Sequence, residues 1–261
     1  MAAPRAARVW LRDRYVVVGL LVLVTAATWY YTVDMARAMG AMSHDMAGMA
    51  HGALSPHHEH MAASGLVTMW VIMMIAMMLP SAIPVTVLHA RLLRDNDTSP
   101  RVRSLIFALG YAVVWAGFSV AAAAVQIALE RSSVLSAMWM RFARVEVGAG
   151  VLIAAGLFQF SPMKTACLRQ CRTPLGFLMT EWRDGVAGAL GMGIKNGLYC
   201  VGCCWALMLL LFVGGVMSML WMLALTLLML VEKLAPGGHY VARGAGVVMI
   251  GAGIAQLLPP V

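Results

Sequence analysis

Apolar residues in this chain come in long blocks separated by short polar stretches. A helix needs about 20 apolar residues to cross a hydrocarbon core of about 30 Å. On that measure seven spans are expected, at about 15–32, 66–89, 105–129, 145–160, 197–216, 217–232 and 243–258, the fourth and sixth being short. No ten-residue alternation of apolar and polar positions appears, which excludes a membrane β-barrel. The predicted architecture is all-α, a polytopic transmembrane helical bundle of about seven spans. Its expected parts are a basic head and first span (1–33), a Met/His-rich extracytoplasmic loop (34–64) and a six-span domain with a cysteine cluster (65–261).

Composition supports that reading. With 62% hydrophobic and 11% charged residues, the chain cannot cover its surface with polar groups in water, where soluble domains carry about 25% charged residues. A soluble enzyme, a disordered chain and a secreted disulfide scaffold are excluded. The net charge of +8 sits in clusters between apolar blocks, a pattern that orients a chain in a bilayer rather than binding nucleic acid. Fourteen basic residues fall on the side of the N-terminus and four on the other, which predicts a cytoplasmic N-terminus. A cleaved signal peptide is the alternative for the first span. Trp29, Tyr30 and Tyr31 favour a retained span, because aromatic side chains gather at the interface.

The fifth block is longer than a bilayer needs and is interrupted by Lys195 and Asn196. Lys195 is expected at the cytoplasmic interface, with the span beginning near Gly197 and 185–193 lying along the surface or re-entering. Glycines 188, 191, 193 and 197 would permit close helix approach.

The five cysteines form two groups, Cys167/Cys171 and Cys200/Cys203/Cys204. Spacings of three and four put each group on one helical face, with Met208 continuing the second face one turn deeper. Both groups are expected at the same membrane surface. Thiols select soft metals: Cu(I) accepts two to four such donors, whereas zinc prefers a tetrahedron. A redox dithiol and inert packing are the competing readings of the same residues.

The segments Cys167-Leu-Arg-Gln-Cys171, Gly197-Leu-Tyr-Cys200-Val-Gly-Cys203-Cys204-Trp205-Ala-Leu-Met208 and Val231-Glu232-Lys233, with Met77-Met78-Leu79-Pro80-Ser81, resemble a bacterial family of predicted metal-binding integral membrane proteins. The resemblance covers residues 66–258 and implies a multi-pass protein of the bacterial cytoplasmic (inner) membrane.

Two further features concern metals. Met69, Met73 and Met77 recur every four residues, with Met74 and Met78 on an adjacent row. That pattern is similar to the thioether ladder of copper permeases, although methionine is more often a packing residue. Pro80 and Pro84 should kink this helix and free backbone carbonyls. The outer segment carries His44, Met46, Met49, His51, His57, His58 and His60, donors for copper or zinc, in a connector without apolar period. His89 and His239 stand alone and read as structural. Glu232 and Lys233 read as an interfacial ion pair or as snorkelling side chains. No nucleotide-binding motif is present, which argues against an ATP-driven pump.

The expectation is a membrane protein handling a soft metal, copper favoured over zinc, with the bilayer and a metal chaperone or membrane complex as partners. A membrane thiol–disulfide oxidoreductase and a structural subunit of a larger complex are the alternatives.

Overall fold

The computed structural model describes residues 3–48, 63–93, 100–136 and 140–258. It is helical apart from a two-residue hairpin. The first helix, α1 (Ala3–Gly48), precedes α2 (Ala63–Leu92) and α3 (Pro100–Arg131). The hairpin pairs β1 (Leu135–Ser136) with β2 (Arg141–Phe142). Then come α4 (Val145–Phe158), α5 (Pro162–Arg172), α6 (Pro174–Glu181) and α7 (Gly185–Leu209). The chain closes with α8 (Leu211–Gly214), α9 (Met219–Leu234) and α10 (Gly238–Leu257).

Five segments are long and apolar enough to cross a membrane: 15–38 of α1, α2, α3, α7 running on through α8, and α10. A sixth is formed if α4 and α5, bent by 63° at their junction, act as one. Among the described residues the structure therefore supplies five or six candidate spans where the hydropathy pattern predicts seven. The sixteen residues of α9 rise only about 24 Å at 1.5 Å per residue, less than the hydrocarbon core.

The first helix does not end near residue 33 but continues to Gly48. His44 and Met46 thus lie on a helix, while Met49, His51, His57, His58 and His60 lie outside the described residues. Trp29 is not only an interfacial anchor. Its Nε1 donates to the Ala76 carbonyl at 2.8 Å, the acceptor that Pro80, having no N–H, leaves free in α2. That bond docks α1 on α2, and α2 is assigned as one helix through both prolines.

The extensive α3–α7 packing depends on small residues. A Cβ on Gly193 would overlap the Phe107 carbonyl, and one on Gly110 would overlap the Leu190 carbonyl. Only glycine permits that approach of two backbones. Gly197 packs on Val114, whereas Gly191 faces open space and takes no part. The expected surface segment 185–193 is in fact the first part of α7. Its contact with α3 lets it continue straight into the cysteine-bearing turns. The chain leaves α8 through Gly215, whose φ of 94° suits glycine.

One continuous core joins α2, α3, α7 and α9 and contains Met69, Met73, Met77, Met78, Met208 and the thiols of α7. Three of the fourteen basic residues counted toward orientation, Arg103, Lys164 and Lys233, are buried. The charge asymmetry survives their removal, but those side chains have other work.

Candidate metal centre

Cys200, Cys203 and Cys204 lie on the unbroken C-terminal half of α7 and are buried. Cys203 and Cys204 both turn back onto their own helix, donating to the Cys200 carbonyl at 3.1 and 2.9 Å. The second thiol pair arrives on α5. This helix starts where Ser161 caps it, its hydroxyl accepting from the Lys164 N–H at 3.0 Å, with Pro162 following. Both residues are favoured at those positions. Lys164, Cys167, Leu168 and Cys171 follow at three- and four-residue spacing, so one face of α5 carries all four.

That face packs on α7. The Cys167 sulfur sits over Gly202, where an added Cβ would lie 2.8 Å from it. Cys171, one turn on, packs with Cys167 against the buried cluster that holds Cys200, Cys203 and Cys204. The two cysteine groups therefore meet, and all five are free thiols. Because α7 does not unwind between Cys200 and Cys203, that pair keeps the helical spacing that suits a disulfide poorly.

Three further residues complete the site, none of them among the sequence candidates. Lys233 of α9 places its ammonium 2.9 Å from the Cys200 sulfur and 3.3 Å from the Ser81 hydroxyl. The Tyr111 hydroxyl lies 3.0 Å from the same sulfur and 3.2 Å from Ser81. It donates in addition to the Met78 carbonyl at 3.0 Å. Lys233 is thus neither paired with Glu232 nor snorkelling. It is 6% exposed and aimed into the thiol cluster. The only signals for these residues lay in the Leu79-Pro80-Ser81 and Val231-Glu232-Lys233 segments, since Tyr111 sits in an ordinary apolar block.

The methionines reach the same place. Met69, Met73, Met77 and Met78 are each at most 2% exposed. They share a core with Met208 of α7 and with Met222 and Met229 of α9. On α9 the buried face reads Met222, Thr226, Met229, Lys233, while on α2 the row Met69, Met73, Met77 leads to Ser81. The hydrogen bond between Ser81 and Lys233 joins the ends of the two rows. His89 is elsewhere, stacked on Phe107 at a centroid distance of 4.9 Å.

Among the described residues, no three His, Cys, Asp or Glu side chains are already set to hold a metal ion. The sulfurs are neighbours, but Cys203 and Cys204 donate to a carbonyl and an ammonium stands against Cys200. The donor set suits a soft cation: clustered thiols, with thioethers behind them.

A family model described as "PpoB2: Copper chaperone" matches residues 67–256. The chain belongs to this copper chaperone family. The matched region holds every cysteine, the methionine row of α2, Tyr111 and Lys233. All of α1 and the histidine-rich segment lie outside it. No characterised protein and no solved structure matches the chain. Membership in the copper chaperone family agrees with the metal-related reading of the cysteine motifs and supports copper as the ion concerned.

Proposed function

We propose that the protein is a membrane-embedded copper handler that holds Cu(I) on Cys200, Cys203 and Cys204 of α7 together with Cys167 and Cys171 of α5. The single observation that carries this reading is the packing of Cys167 and Cys171 against the buried cluster that holds Cys200, Cys203 and Cys204, which unites two cysteine groups distant in sequence. Copper takes the position against the Cys200 sulfur that the Lys233 ammonium holds, the ammonium swinging aside and each thiol that ligates the ion giving up its proton to solvent. Cys203 and Cys204 are freed from the Cys200 carbonyl by rotation about χ1. Copper is favoured over zinc because the surroundings offer soft, neutral thioethers and, among the described residues, no carboxylate in hydrogen-bonding contact with a thiol.

The wider route follows from the same residues. The segment bearing His44, Met46, Met49, His51, His57, His58 and His60 collects the ion outside. Met69, Met73, Met77, Met78 and Met208 pass it inward, and the thiols hold it for a metal chaperone or membrane complex on the cytoplasmic side of the bacterial inner membrane. Thioethers suit a path because they bind Cu(I) weakly and carry no charge.

Purified protein is expected to bind about one Cu(I) tightly, the number one thiol cluster accommodates. Elemental analysis against a variant with all five cysteines changed to serine checks this. Copper equal in the two proteins would sink the proposal. For orientation, an impermeant thiol reagent added to intact cells should leave Cys167 and Cys171 unlabelled, and labelling from outside would reverse the topology. For the path, Met73→Leu with Met77→Leu keeps the apolar volume at typically under about 1.5 kcal/mol but removes two sulfurs. Slower copper loading at unchanged final stoichiometry is expected, and wild-type loading rates would leave these methionines as packing residues.

A further inference from the structure

The second thiol helix has little apolar surface to hold it: Leu168 is the only buried aliphatic residue of α5, beside a buried lysine. Beyond its packing on α7, polar contacts tie it to the end of α9. At one end of α5, the Lys164 ammonium meets the Glu232 carboxylate at 2.7 Å. Lys164 also donates to the Gln159 side-chain oxygen, and Gln159 donates to the other Glu232 oxygen at 3.1 Å. All three residues are at most 3% exposed. At the other end of α5, Arg172 donates to the Ala235 carbonyl at 2.9 Å.

The placement of this pair carries the argument. Lys164 shares a helical face with Cys167 and Cys171, one and two turns away. Glu232 is the chain neighbour of Lys233, which reaches Cys200 on α7. Two successive residues of α9 therefore hold different helices, Glu232 the thiols of α5 and Lys233 the first thiol of α7. A charge pair in an apolar interior is costly and is retained where its geometry does something a hydrophobic pair would not.

Resting on the copper reading above, we infer that the Lys164–Glu232 ion pair, completed by Gln159, positions α5 so that Cys167 and Cys171 complete the copper site of α7. Neither residue touches the metal. The pair sets the register and tilt of α5 at its bend from α4, and without it the thiols of α7 face the ion alone.

The test begins on metal-free protein in which Cys171 and Cys203 are the only cysteines. Dibromobimane, a small apolar reagent that fluoresces when it bridges two thiols, should link them efficiently. In Glu232→Gln and in Lys164→Met the yield should fall several-fold, and the exchanged pair Lys164→Glu with Glu232→Lys should restore it. On copper-loaded protein with all cysteines present, the single variants should show fewer sulfur neighbours by X-ray absorption. Their affinity should be about 10- to 100-fold lower, the range for residues that orient ligands. Wild-type bridging in the single variants overturns the inference, and so does a folded exchanged pair that fails to recover bridging. Where a single variant does not fold, the exchanged pair decides by the same yield. Bridging needs no copper, so a wild-type protein that binds no metal would defeat the functional proposal and leave this result readable.

Discussion

Replacing Cys200 by serine should lower Cu(I) affinity by at least about 100-fold, more than any other single cysteine substitution. Residues that merely orient metal ligands cost about 10- to 100-fold when removed, so a central ligand should start at the top of that range. Cys200 is central by its contacts. Lys233 and Tyr111 both meet its sulfur, while its carbonyl receives Cys203 and Cys204. The serine oxygen fits the volume and can keep hydrogen bonds to Lys233 and Tyr111, which preserves the fold but offers copper a hard donor. Cys167 is the contrasting case. It sits over Gly202, and Cys167→Ser should cost about tenfold or less, below the range for a central ligand. Competition with a coloured Cu(I) chelator measures both. An equal loss at the two positions would remove Cys200 from the centre of the site.

The second large effect concerns the fold. Gly193→Leu should abolish monodisperse protein, because its side chain would start inside the Phe107 carbonyl. Overpacking a core usually costs about 1–3 kcal/mol, since neighbouring side chains rotate away. Here the obstacle is backbone on the facing helix, so trimming the Phe107 side chain cannot relieve it. The two helices must separate, and α7 carries the thiols. A Cβ on Gly191, two residues away, would meet nothing within 4 Å, and Gly191→Leu should shift stability by no more than about 0.5 kcal/mol, as substitutions that meet no neighbour do. Size-exclusion profiles in detergent and thermal midpoints compare them. A stable Gly193→Leu protein would mean that α3 and α7 do not approach as described.

Among the other expectations, the methionine row of α2 was legible as a period and its burial follows from it. The first helix was legible only in part. Its apolar block ends near residue 32, yet helix continues to Gly48, because polar and small residues such as Ala36, Ala38 and Ala41 carry no signal that stops a helix. The span count was less secure for a related reason. Hydropathy scores blocks of composition, while the break between α4 and α5 is set by Ser161 and Pro162 within one basic and apolar stretch.

The sequence by itself determined the class of molecule and the two thiol faces, because both are local properties: long apolar blocks require helices, and three- and four-residue spacings fix which side chains share a face. Its cysteine motifs also pointed to metal. Only the tertiary structure decided what meets those faces. Tyr111, Ser81 and Lys233 come from three helices, and nothing in their local sequence shows that they converge on Cys200. Glu232 and Lys233 are the plainest instance. As neighbours in sequence they read as one interfacial pair, but on a helix adjacent residues point about 100° apart. With α9 packed against α2 and α5, that angle sends the carboxylate to Lys164 and the ammonium to Cys200.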